Sequence, residues 1–205
     1  MNGVTHGLGI ILGIVGAVLL MRRVQGMSYR HVVSCAIYSV SLLVLYVSST
    51  LYHSFFALKN TRYIFEVLDK CAIYILIAGS YTPFVAITLI QHLPLMLFIL
   101  VFIWVACWIG IHVEYSYPTW RQKGNFGLAM YLGIGWVAVL VPRDVVQIVA
   151  PGAVNLIVLG GVSYTAGVPF YLRNNFLDHS IWHLFVLAGS FFHWAAVYFY
   201  VVYME

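Results

Sequence analysis

The stretch DHSIWHLFVLAGSFFH, Asp178 to His193, sets two histidines four residues apart at the mouth of an apolar segment that runs on to Tyr203. Read as an α-helix, four residues advance about 40° beyond one full turn and rise about 6 Å, so His179 and His183 present their imidazoles to the same point. Histidine is costly inside an apolar segment of membrane-spanning length, and a pair there marks a functional site whose partners must come from elsewhere in the chain.

Six further runs of this kind precede it, bounded by charges, prolines or polar clusters: Gly7 to Met21, His31 to His53, Leu68 to Ile90, Pro94 to His112, Asn125 to Val141 and Val146 to Tyr171, with His179 to Tyr203 as the seventh. The chain has 205 residues, of which 63% are hydrophobic and only 8% charged, and its mean hydropathy is +0.95. No soluble domain of this size manages with so little polar surface, so the expected fold is all-α: a polytopic membrane protein, one seven-transmembrane-helix bundle over residues 1–205. The first run is short and needs tilt or its uncharged flank to cross about 30 Å of hydrocarbon. It is followed, not preceded, by positive charge at Arg22 and Arg23, so it reads as a span and not as a cleaved signal peptide. Gly9 and Gly13, with Ala17 beyond, give that span a face of small residues suited to close helix packing.

The net charge of +4 comes from ten basic residues scattered between apolar runs. These are loop charges; they form no patch for nucleic acid. Cys35, Cys71 and Cys107 all lie inside apolar runs and form no CxxC, which argues against both a disulfide framework and a thiolate zinc site. No motif specifies an organelle or an oligomeric state.

With seven spans, the loops after spans two, four and six share a side with the N-terminus. They carry Lys59, Arg62, Lys70, Arg121, Lys123 and Arg173, against Arg22, Arg23, Arg30 and Arg143 on the other side. The count favours a cytoplasmic N-terminus, although Arg22 and Arg23 argue the other way. Relative depth does not depend on that vote. The end of an even span and the start of an odd span lie at one face, so His53, Asp69, His179 and His183 converge, and Ser49, one helical turn before His53, joins them. His6 and His112 fall on the same side, each single and near a headgroup-level end, where an amphipathic residue is ordinary. His31 and His92 sit on the opposite side. His193 lies about 15 Å along the helix from His183, too far to share one ion, and suits a supporting or structural role between helices.

Two readings of this constellation stand side by side. The histidines can simply hydrogen-bond helices together. Alternatively, three neutral imidazoles without a thiolate suit Zn²⁺ with an open fourth position, where it brings the pKa of a bound water to about 7. Asp69 would then act as general base or as an acceptor orienting the water, unless it merely pairs with Lys70 or Arg62. Ser49 would donate to a developing oxyanion or orient a ligand.

Ser49-Thr-Leu-Tyr-His53, then Leu68-Asp69-Lys70 and Ala78-Gly79-Ser80-Tyr81-Thr82-Pro83, then His179-Ser-Ile-Trp-His183 with His193 beyond, resemble in order and separation the hemolysin III group of the progestin and adipoQ receptor family. The resemblance covers nearly the whole chain. It implies a seven-helix bundle with a cytoplasmic N-terminus, zinc near the cytoplasmic face on His53, His179 and His183, and Ser49 and Asp69 beside the metal. Alkaline ceramidases in the wider superfamily supply the expectation of amide hydrolysis. Thr5-His6-Gly7 resembles an N-terminal motif of the group, without a role attached to it. Few residues precede the first span, unlike the long N-terminal regions of the receptor members, which weakens a receptor reading.

The expected function is therefore an intramembrane zinc hydrolase of a lipid amide or ester, its partners membrane lipids and a lipid-like substrate held among Tyr and Phe side chains. The alternative is a receptor or lipid sensor in which zinc is structural. A membrane-lytic protein is the weakest reading, since the sequence offers no basic amphipathic helix to insert from water.

Overall fold

The computed structural model describes residues 2–55, 57–90, 95–141, 147–173 and 175–203. His92, Pro94, Arg143 and Val146 lie outside the described residues. Among those described there are seven α-helices and no strand: α1 Asn2–Arg23, α2 Tyr29–Ser54, α3 Lys59–Pro83, α4 Leu95–Ser116, α5 Lys123–Gly135, α6 Pro151–Arg173 and α7 Phe176–Phe199. Six are long and apolar enough to cross a membrane, α5 being the exception. Their outward faces remain apolar. Phe98, Phe102 and Trp108 on α4 and Ile11 and Val15 on α1 are exposed, as expected of side chains that face lipid. The molecule is a helical, multi-pass membrane bundle.

The helices pack mostly on their chain neighbours, and α1 also packs against α7. One core joins α1, α2, α3 and α7 through residues such as Leu20, Tyr38, Ala72 and Val197, and a second joins α3, α4 and α5 through Tyr74, Ile103 and Ile134. Inside α1, the Gly16 carbonyl accepts the Trp194 indole N–H of α7 at 3.1 Å. Cys35, Cys71 and Cys107 are all free and buried.

Three spans differ from the expectation. The first is not short: α1 has 22 residues, about 33 Å at 1.5 Å per residue, because the polar turn containing Thr5 and His6 continues the helix into the bundle. The third starts earlier than Leu68 and ends differently. Pro83 removes a backbone donor, and the chain widens into a π-segment, Phe84–Leu89, with Ile90 N–H reaching the Val85 carbonyl at 2.9 Å. The Thr82 hydroxyl caps the Ala78 carbonyl there at 2.9 Å.

The fifth span is broken. Its α-helix has 13 residues, followed by a four-residue 3₁₀ turn, Val137–Leu140. Gly133 and Gly135 weaken the helix end, and Val141, before Pro142, is extended. Tyr81 of α3 takes up the break: its hydroxyl donates to the Gly135 carbonyl at 2.7 Å and accepts from Ala138 N–H at 3.1 Å. The expected continuous helix over Asn125 to Val141 is thus replaced by two pieces.

Candidate metal centre

Asn175 starts the last helix where the site needs it. Its side-chain oxygen accepts the Asp178 N–H at 2.8 Å, an N-cap that satisfies one of the free donors of the first turn. His179 and His183 follow on the first two turns of α7, with ring centres 4.7 Å apart. The last turn of α2 brings His53 against both, its ring centre 5.0 Å from His179 and 4.9 Å from His183. One ring nitrogen from each of the three lies within 4.8 Å of the others. Two nitrogens on one tetrahedral zinc stand about 3.4 Å apart given Zn–N bonds of about 2.0–2.1 Å. The set is thus near the spacing that one ion requires.

The hydrogen-bonding pattern fits that occupant. His53 Nε2 is buried without a hydrogen-bond partner among the described residues, although it sits against two other imidazoles. Such an atom normally costs about 1–3 kcal/mol unless something satisfies it. The nearly inaccessible His183 has its Nδ1 3.0 Å from the Thr5 hydroxyl.

Ser49 is buried and is a side-chain hydrogen-bond partner of Asp69. Lys70, the neighbour the sequence offered as a mate for Asp69, instead holds Glu66 one turn back at 2.9 Å. Asp69, Ser49, His179 and His183 line one end of a cavity of about 800 Å³. It continues past Tyr131, Tyr164 and Trp182 to Phe84, Leu89 and Val154 at the other end of the bundle, with mostly apolar walls. Across the α5 to α6 side of this cavity, the Trp136 indole N–H donates to the Thr165 hydroxyl at 3.0 Å.

His6 lies against the cluster, stacked on His183 with ring centres 3.6 Å apart and planes 16° from parallel. It is buried, and neither ring nitrogen has a hydrogen-bond partner among the described residues. His193 is elsewhere: its Nε2 lies 3.2 Å from the Ile157 carbonyl of α6, and Tyr164 stands edge-on to its ring. His112 is exposed at the end of α4 beside Ser116, and His31 sits beside Ser28 at the start of α2. The residue that sequence reasoning missed is Thr5. A signal was present, because Thr5 precedes Gly9 by four residues and Gly13 by eight, which puts it on the packing face of α1.

The family model described as haemolysin-III related matches residues 1–194. The chain is 36% identical over 203 residues to a Hemolysin-3 homolog of Bacillus subtilis (strain 168), covering 98% of this chain and 93% of that one. It is 35% identical to Hemolysin-3 of Bacillus cereus, covering 98% and 90%. It is also 28% identical over 207 residues to the monocyte to macrophage differentiation factor of Homo sapiens, covering 98% and 83%.

Proposed function

The chain belongs to the haemolysin-III-related family, and from that premise we propose that it is an intramembrane zinc hydrolase of a lipid amide or ester. The observation that carries this reading is the convergence of His53 on His179 and His183, which with Asp69 and Ser49 line the polar end of a long apolar cavity. Three imidazoles with an open fourth position select Zn²⁺ over hard cations, which prefer oxygen ligands. When bound, the ion supplies Lewis acidity, polarising a carbonyl and acidifying water.

The protein's own groups do the rest. The cavity walls take acyl chains out of the bilayer and hold the scissile carbonyl at the histidine end. Asp69, with Ser49 orienting its carboxylate, accepts a proton from the attacking water. The water oxygen then bonds to the acyl carbon, the bond from that carbon to the amine nitrogen or alcohol oxygen breaks, and Asp69 returns the proton to the leaving group. The products are a fatty acid and an amine or alcohol.

The test is elemental analysis of detergent-purified protein, wild type beside His183→Ala, with turnover of lipid amides and esters measured on both. The expected result is about one zinc per chain and hydrolysis in the wild type, with both lost in the variant. Zinc without turnover of any such lipid supports the receptor or sensor reading, in which the ion ties α2 to α7. Metal in neither protein leaves the histidines as interhelical hydrogen-bonding groups and ends the enzymatic reading.

A further inference from the structure

The motif Ala78-Gly79-Ser80-Tyr81-Thr82-Pro83 has no part in the proposed chemistry, yet it leads straight to the far end of the cavity. After Pro83 the chain runs on as the π-segment Phe84–Leu89. Residues five apart stand about 140° from each other round the axis of an α-helix, whereas the i to i+5 bonding of a π-turn brings them to one side. Phe84 and Leu89 are such a pair, and both line the cavity. Leu89 also belongs, with the lining residue Val149, to a packed apolar cluster that includes Val85 and Met96. The cavity therefore ends on a packed floor, built where the π-segment meets Val149 and Val154.

The depth of that floor follows from α6 and α7. Tyr171 of α6 packs on His179 of α7 with ring centres 6.2 Å apart, and the Ile157 carbonyl of α6 lies 3.2 Å from His193 Nε2 of α7. Between those two contacts each helix runs fourteen residues, about 21 Å at 1.5 Å per residue, so both helices give the same depth. Val154, one turn beyond Ile157, puts the floor about 25 Å from the histidine level. Carbon–carbon bonds of about 1.5 Å advance about 1.25 Å each along an extended chain, so about 18 to 20 carbons reach it. We propose that the cavity measures a straight acyl chain of about 18 carbons, and that Phe84, Leu89 and Val154 set the limit. This deepens the reading of the cavity as an acyl site and rests on it. A shorter chain leaves the floor uncovered. A longer one must bend, or hold its carbonyl away from the histidines.

The experiment is displacement of radiolabelled palmitic acid from the full chain in phospholipid nanodiscs by saturated fatty acids of graded length, compared at equal mole fraction in the bilayer. The proteins are wild type, Val154→Phe, Leu89→Ala and, as a control on the outward surface, Phe102→Ala, whose side chain is exposed. The wild type is expected to prefer chains of about 18 carbons. It should discriminate about tenfold or more against chains a few carbons too long, the scale on which closed apolar pockets reject surplus methylenes. Val154→Phe raises the floor and moves the preference about two to three carbons shorter; Leu89→Ala lowers it and moves the preference about two carbons longer. Phe102→Ala keeps the wild-type profile. If Leu89→Ala is not monodisperse, Val154→Phe decides alone, because it fills the cavity instead of hollowing the cluster beneath it. A wild-type profile flat in chain length overturns the proposal, and so does a Val154→Phe profile equal to the wild type's. A shift in Phe102→Ala as large as in the floor variants overturns it too, since the bilayer and not the floor would then set the preference. A wild type that binds no palmitic acid overturns the acyl reading of the cavity and this inference together. Binding needs neither metal nor turnover, so a length preference that moves with the floor upholds this inference even where no lipid is hydrolysed. Hydrolysis with a flat length profile overturns this inference alone.

Discussion

Two buried polar groups of opposite character sit in the same end of the bundle. Glu114, at the end of α4, is almost completely inaccessible, and Lys123 at the start of α5 places its ammonium 3.2 Å from the Glu114 carboxylate and 3.2 Å from the Glu114 carbonyl. Charge meets charge inside the chain, and the ion contact neutralises the carboxylate even though Glu114 Oε2 makes no hydrogen bond among the described residues. The histidine cluster has no carboxylate within it, and His53 and His6 keep buried nitrogens without partners among the described residues. A charge neutralised by a countercharge of the fold serves the fold. One left unsatisfied at the end of a cavity is poised for something the chain does not supply.

The comparison can be broken at either cluster. The largest effect is expected for Asp69→Asn, which keeps the shape and removes the proton acceptor: turnover falls about 100- to 10,000-fold, the range for loss of a general base, while zinc stoichiometry stays at the wild-type value. Undiminished turnover would remove Asp69 from the mechanism, and loss of zinc together with folded protein would make it structural. Lys123→Ala should show the opposite signature. Stranding the Glu114 carboxylate costs about 3–5 kcal/mol, read as a lower unfolding midpoint in detergent, with zinc content per folded chain unaltered; a variant as stable as wild type would show the pair to be dispensable. The smallest change is expected for Ser49→Ala, which loses one hydrogen bond to a carboxylate, worth about 1.5–3 kcal/mol, and so lowers turnover or zinc affinity without lowering expression. Lost expression alone would make Ser49 a helix-packing residue.

Much of the fold was legible because membrane helices announce themselves by unbroken apolar length, and six runs do so. The fifth did not break at any residue that hydropathy registers: Gly133 and Gly135 carry no polar side chain, and their backbone freedom and the following Val141-Pro142 end the helix. The first span looked short for the converse reason. Thr5 and His6 are polar, so an apolar count excludes them, yet partners inside the bundle carry the helix through them. At the site, spacing pairs His179 with His183, and topology alone brings His53 to their level. Thr5 was legible only as a residue of the α1 packing face; its contact with His183 depends on how α1 seats against α7, which no spacing encodes.

The broken α5 also bears on how the protein is made. Thirteen residues reach about 20 Å, well under the roughly 30 Å of a bilayer's hydrocarbon. Such a segment is a poor substrate for insertion on its own, since the peptide groups at its ends would face lipid unbonded. Neighbours help to hold it: the Tyr81 hydroxyl of α3 bonds the backbone at the break, and the Lys123 side chain at its start pairs with Glu114 of α4. The α5 wall of the cavity therefore depends on α3 and α4, which supply Tyr81 and Glu114 to hold it.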